Sequence, residues 1–141
     1  MNAKVFVDTN ILVYAHDQNE GYKQAAAKRV LRELSQERSG ALNMQVLQEF
    51  YNTATRKLAF PLPRDEARAI VEDFAFWCVE TTPAEIKRAF QIEDEARNGF
   101  WDAMIFAAAI KSGASVVYSE DLNPGQRIAG IRVENPFADR K

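Results

Sequence analysis

The chain has 141 residues, the size of one compact domain rather than two independent cores, so residues 1–141 are expected to form a single domain. Hydrophobic residues make up 47% and charged residues 27%, which excludes a disordered or fibrous chain. A net charge of −2 excludes binding of nucleic acid by a uniformly basic surface, and a lone cysteine, Cys78, excludes an internal disulfide and a thiolate zinc site.

Lys4–Val7 is β-rich and ends abruptly at Asp8-Thr9-Asn10, after which comes a short apolar stretch, Ile11–Ala15. From about Gly21 the spacing of Ala27, Val30, Leu31 and Leu34 predicts a helix that Gly40 ends, and Ala41-Leu42 suggests a second strand. Met44–Leu58 is the next predicted helix, with Leu47, Phe50, Tyr51, Ala54 and Leu58 on one face, broken by Pro61 and Pro63. Arg64 to about Phe76 predicts a third helix, and Cys78-Val79 a short strand. Cys78 itself, among Phe76, Trp77 and Val79, reads as an inert buried thiol. Thr82-Pro83 has the form of a cap followed by proline in the first helical position, opening a helix through Ile86, Phe90 and Ile92 as far as Asn98-Gly99. A fifth helix spans Phe100–Ser112 and stops at Gly113; Ser115–Tyr118 and Ile131–Val133 read as the last strands. Strands alternate with helices and no hairpin turn is evident, the pattern of an α/β domain whose mainly parallel sheet has helices on both faces.

In such folds function gathers beyond the carboxyl ends of the strands, and Asp8 and Asp121 both follow predicted strands. Asp102 lies in Phe100–Ile110, a helix apolar on every side and therefore expected to be buried, where a carboxylate is costly without a partner. Glu49 shares a helix stripe with Gln45, Asn52, Thr53 and Arg56, which reads either as a solvated flank or as the wall of a polar groove. Each acid singly has an ordinary explanation as a cap, a turn or a surface residue. Together, at positions that a parallel fold can bring into one crevice, they form an oxygen donor set of the kind that Mg²⁺ or Mn²⁺ takes. The only histidine, His16, has no second partner for acid–base chemistry and reads as structural or surface.

These residues resemble a known family. Val7-Asp8-Thr9-Asn10-Ile11-Leu12 is similar to the opening motif of PIN-domain nucleases; Glu49, Phe100-Trp101-Asp102-Ala103 and Val117-Tyr118-Ser119-Glu120-Asp121-Leu122 are similar to the other three motifs, in order, from about Lys4 to the end of the chain. The size is similar to that of stand-alone PIN toxins of type II toxin–antitoxin pairs, the VapC-like group. The resemblance implies a PIN-like three-layer α/β/α fold and Mg²⁺- or Mn²⁺-dependent cleavage of RNA. It also implies a homodimer and an antitoxin protein in the active-site groove. Carried over by position, Asp8, Glu49, Asp102 and Asp121 become the metal-holding catalytic acids. Thr9, Asn10 and Ser119 would orient carboxylates or a water, and Glu120 would be an outer ligand. Arg56, Arg64 and the lysines of the first long helix are the basic groups that could guide an RNA backbone.

Two other classes compete. A strand-ending aspartate could be a phosphate-accepting nucleophile, but a haloacid-type phosphatase wants an acid where Asn10 stands, and the paired acids and late lysine of a receiver domain are not evident. A PIN-like module could hold RNA or protein without cutting, though it would have no evident reason to keep four acids; a non-toxin RNA-processing nuclease is the softer alternative. No signal-peptide stretch follows Met1, and no run approaches the roughly 18 apolar residues of a membrane helix. A cytoplasmic protein is the expectation.

Overall fold

The computed structural model of the protein describes residues 3–138; the last three residues of the predicted domain and the first two lie outside the described residues. In chain order the elements are β1 (Lys4–Val7), α1 (Thr9–Ala15), α2 (Tyr22–Glu37), β2 (Gly40–Asn43), α3 (Met44–Arg56), α4 (Arg64–Phe74), β3 (Cys78–Val79), α5 (Pro83–Ala96), α6 (Phe100–Ser112), β4 (Ala114–Tyr118), β5 (Arg127–Ile128) and β6 (Ile131–Glu134). They form a six-stranded sheet of order β3-β2-β1-β4-β6-β5, parallel except for β5.

This order creates the functional crevice. From β1 the chain steps outward through β2 to β3, then crosses back over both to place β4 on the other side of β1. Right-handed crossovers put the helices of the outward steps on one face and those of the return on the other. Accordingly α6 lies across the sheet, touching all of its parallel strands, with α5 packed on it, while α1, α2 and α3 pack as a separate group. The chain reverses its direction of travel between β1 and β4, and their carboxyl ends open the crevice at the switch point.

Local chemistry explains most boundaries. Thr82 and Glu85 form a capping box: Thr82 N–H donates to Glu85 Oε1 at 2.7 Å and Ala84 N–H donates to Thr82 Oγ1 at 3.3 Å, with Pro83 in the first turn. Asn43, fully buried, caps α3 by accepting from Val46 N–H at 3.1 Å. Gly113 closes α6 with φ 81°. Between its ends α6 buries every residue from Ala103 to Ala109, because it is enclosed by sheet and α5 at once.

Several expectations need correcting. Ile11–Ala15 is helical, Asp8 capping it by accepting from Thr9 N–H at 2.8 Å. The third predicted helix ends at Phe74, and Ala75–Trp77 continues as a single 3₁₀ turn. On α5 the buried positions are Glu85, Ala89 and Ile92, whereas Ile86 and Phe90, expected on the core face, are exposed. A hairpin does exist: β5 and β6 pair antiparallel through Ala129 and Gly130, whose φ angles of 51° and 83° turn the chain in two residues. Cys78 is half-buried, and burial pushes its thiol up, in keeping with an inert side chain.

Gly40 does not stop α2, which ends at a left-handed Arg38; it opens β2. A Cβ there would lie 2.2 Å from the Trp77 indole, which is itself held edge-on by Phe74 at 5.0 Å. Gly40→Ala should therefore destabilise the protein by about 1–3 kcal/mol through displacement of the ring. Urea unfolding measures the loss, and a red-shifted indole emission reports Trp77 leaving its seat.

Candidate active site

Val7 pairs with Tyr118, so the chain leaves β1 at Asp8 and β4 at Ser119 on the same level of the sheet. Asp8 N–H donates to Tyr118 O at 3.0 Å and locks the two exits together. From this point Asp8 and Asp121 reach the crevice from the sheet, Glu49 enters from the second turn of α3 and Asp102 from the first turn of α6. All four line one groove of about 480 Å³. Thr9, Gln45, Gln48, Trp101 and Ile105 complete its wall.

Hydrogen bonds fix two of the carboxylates. Asp8 accepts from Thr9 N–H at one oxygen and from Ser119 Oγ–H, at 2.8 Å, at the other. Ser119 is fully buried, and its hydroxyl also accepts from Asp121 N–H at 3.1 Å and Leu122 N–H at 3.3 Å. Asn10 closes the arrangement: its Nδ2 donates to Asp121 Oδ2 at 3.1 Å, and its Oδ1 accepts from Glu120 N–H at 3.2 Å. Thr9, Asn10 and Ser119 are thus in place to orient Asp8 and Asp121.

Glu120 is not in the groove. Its carboxylate turns to the other side of the loop, where it accepts from Tyr14 Oη and pairs with Lys23 Nζ at 2.7 Å. Burial works to raise its carboxyl, but the bonds from Lys23 and Tyr14 outweigh that and hold it below the usual range. The structure makes Glu120 a tether between the loop after β4 and helices α1 and α2, in place of the outer ligand expected. Nor is Asp102 enclosed as expected, since it stands in the exposed opening turn of α6 and the buried run begins one residue later.

Electrostatics couple the acids. Burial pushes the Asp8 carboxyl up to about 6; the bonds from Ser119 and Thr9 pull it down, and the charges of Asp121 and Glu49 push it up. Asp102, although exposed at the opening of α6, is also raised, by partial loss of water on its groove side and then by Asp121. Such a set favours a cation.

The donor set fits a hard divalent ion in kind, being all carboxylate oxygen, and Thr9 Oγ1 and Gln45 Oε1 are buried at the groove without hydrogen-bond partners. Among the described residues no three acid, histidine or cysteine side chains close into a tight ligand cage. The four acids would therefore share such an ion with water, as Mg²⁺ favours.

None of the basic residues expected to guide RNA lines the groove, nor do Asn52 and Arg56 of the α3 stripe; only its first two turns contribute. His16 is structural: its ring lies edge-on to Phe50 at 5.5 Å and Nδ1 is 2.8 Å from Leu12 O. Gln45 lies in the groove as one reading of the α3 stripe had it, whereas Gln48, Trp101 and Ile105 are the groove residues that sequence reasoning gave no site role. An aromatic residue at a helix start, next to an out-of-place acid, was the available signal.

Fold and groove define an α/β protein with an acid-lined crevice at the switch point of its sheet. The PIN domain family matches residues 5–129, and the chain belongs to that family. Two solved structures have similar folds. One is a chain of VapBC2 from Rickettsia felis, bound to a DNA fragment from its promoter, with TM-score 0.65 and 17% identity over 93% of this chain and 97% of that one. The other is VapC20 from Mycobacterium tuberculosis, a sarcin-ricin loop cleaving toxin, with TM-score 0.62 and 19% identity over 92% and 99%. No curated protein matches the sequence significantly. Among the described residues no helix is long and apolar enough to cross a membrane.

Proposed function

We propose that the protein is a divalent-metal-dependent endoribonuclease and the toxin of a toxin–antitoxin pair. The observation that carries this reading is the convergence of Asp8, Glu49, Asp102 and Asp121, from four separate segments, on one groove at the switch point of a PIN-domain sheet. Those four residues would hold Mg²⁺ or Mn²⁺. A bound divalent ion supplies the positive charge that offsets a phosphodiester and acidifies water.

The chain's own groups do the positioning. Ser119 Oγ–H and Thr9 N–H hold both oxygens of Asp8 in one orientation, and Asn10 holds Asp121. The Lys23–Glu120–Tyr14 tether keeps the loop that carries Ser119 and Asp121 from drifting away from α1. The toxin reading is supported by the likeness to VapC20, a toxin that cleaves the sarcin-ricin loop, and the antitoxin partner by the likeness to VapBC2 on its promoter DNA. A single nuclease domain, a cytoplasmic location and a homodimer belong to the same proposal.

Purified protein incubated with total RNA should cleave it in Mg²⁺ or Mn²⁺ and not in chelator, and sequencing of the new ends identifies the sites. Millimolar Mn²⁺ should also stabilise the protein, by about 2–3 kcal/mol if its concentration is about a hundred times Kd, read as a rise in melting temperature. No stabilisation and no cleavage would leave a non-catalytic binding module. Cleavage without growth arrest on expression would point to an RNA-processing enzyme instead of a toxin.

A further inference from the structure

We propose that Trp101 is a stacking platform for an unpaired RNA base beside the scissile phosphate. The inference rests on the ribonuclease reading and adds a substrate feature to it. Trp101 immediately precedes Asp102 in the first turn of α6, and both line the acid groove. Its side chain is large and apolar, yet the residue is 66% exposed. The indole is nonetheless braced: Phe100 meets it at 5.2 Å and 71°, and Phe100 rests in turn on the exposed Phe90 at 6.0 Å. A braced aromatic ring that keeps most of its surface in water loses little freedom when a planar partner covers it.

Charge gives such a platform a use. The groove wall holds four acids, two glutamines, a threonine, an isoleucine and the indole, with no lysine, arginine or histidine. Apart from the divalent ion that the acids would hold, a polyanion finds no cation along this wall, so contacts with its bases are the further hold that the groove itself can offer. Stacking on an aromatic ring is the base contact that does not depend on charge. A base inside a duplex has both faces covered by its neighbours, so only a splayed or unpaired base can use the indole.

The test uses both tryptophans. Trp77→Phe leaves Trp101 as the sole indole, and its fluorescence is followed while single-stranded RNA of about ten nucleotides and random sequence is added in Mg²⁺. The expected result is quenching by this strand, and little quenching by the same backbone with abasic riboses or by a duplex. In cleavage assays Trp101→Ala should raise KM for the single strand about 10- to 100-fold with kcat little changed, while Trp101→Phe retains most of the affinity. The Mn²⁺-induced rise in melting temperature should be the same in Trp101→Ala as in the parent. Equal quenching by the abasic strand, or an unchanged KM in Trp101→Ala, overturns the inference. So does a Trp101→Ala protein that cleaves normally but no longer binds a protein antitoxin, which would make the indole a protein contact. If the parent quenches as expected but cleaves nothing, the nuclease reading fails and the base platform stands.

Discussion

Asp8→Asn should abolish RNA cleavage, by about a thousandfold or more, and yet yield a metal-free protein that melts higher than the parent at neutral pH. The first effect follows from position. Of the four groove acids Asp8 is the one held at both oxygens by the protein, at the junction of β1 and β4, and loss of its charge removes the fixed point around which a cation is shared. A loss of this size exceeds what displacement of a merely orienting group costs. Cleavage of total RNA in Mn²⁺ by parent and variant, with circular dichroism to confirm folding, measures it.

The second effect is a linkage argument. The native carboxyl of Asp8 sits at about 6 against an ordinary value of 3.8, raised by burial and then by Asp121 and Glu49. A raised carboxyl means that the folded state holds its proton where the unfolded state has released it. Metal-free stability is then highest at low pH as far as this group is concerned, falls as pH rises between about 4 and 6, and stays low above that. The shift corresponds to a penalty on the order of 2–3 kcal/mol at neutral pH. The neutral amide removes that charge penalty but gives up one of the two hydrogen bonds that the carboxylate accepts, because its Nδ2 can only donate, so the net gain is the smaller difference. Divalent metal should remove the same penalty in the parent, so Mn²⁺ should raise the parent's melting temperature well above pH 6 and do little for Asp8→Asn. The acid limb of activity belongs to the same group, since the protonated form cannot hold a cation; it lies nearest pH 6 when metal is scarce and moves lower as metal is raised towards saturation. If the metal-free parent did not lose stability as pH rises between about 4 and 6, the carboxylate would not be the burdened group described.

Long-range geometry explains what the sequence disclosed and what it withheld. Helical spacing of apolar residues marked α2 and α3, because those faces must meet the core, whereas α5 was marked by its cap and α6 by a run apolar on every side. The switch from Val7 to Asp8 marked the sheet's carboxyl edge, because a buried strand cannot continue into charge. The seven-residue α1 was too short to show a period. The β5–β6 hairpin turns on Ala129, a residue whose positive φ no turn rule anticipates. Gly40 looked like a helix stop, because the reason for it, Trp77, lies far along the chain. Glu120 and Asp121 are neighbours of one type; only the presence of Tyr14 and Lys23 on the far side of the loop sends the first away from the groove. The four acids could be singled out by residue type, but their meeting in one groove depends on a crossover that no local pattern encodes.

Ser119→Ala should cost about 2–4 kcal/mol of stability and roughly 10- to 100-fold in cleavage, and it should also move the acid limb of activity to higher pH. A hydroxyl has one proton to give and two lone pairs, and Ser119 uses them all: it donates to Asp8 and accepts from the backbone of Asp121 and Leu122. Alanine leaves the buried N–H of Leu122 and the partly buried N–H of Asp121 without their acceptor and loosens the loop that carries Asp121. It also removes the strongest influence holding the Asp8 carboxyl down, so that burial and the neighbouring charges act with less opposition and the group titrates above its present value of about 6. The direction of that shift separates positioning from mere packing. A loss of packing lowers the melting temperature at every pH and leaves the shape of the pH–rate profile alone; loss of the Asp8 bond displaces the profile. Ser119→Thr, which keeps the hydroxyl, should retain the parent's acid limb even if the added methyl lowers stability in this fully buried position. An alanine variant with an unmoved acid limb would mean that Ser119 holds the loop and nothing more, and that the charge on Asp8 is set by its surroundings alone.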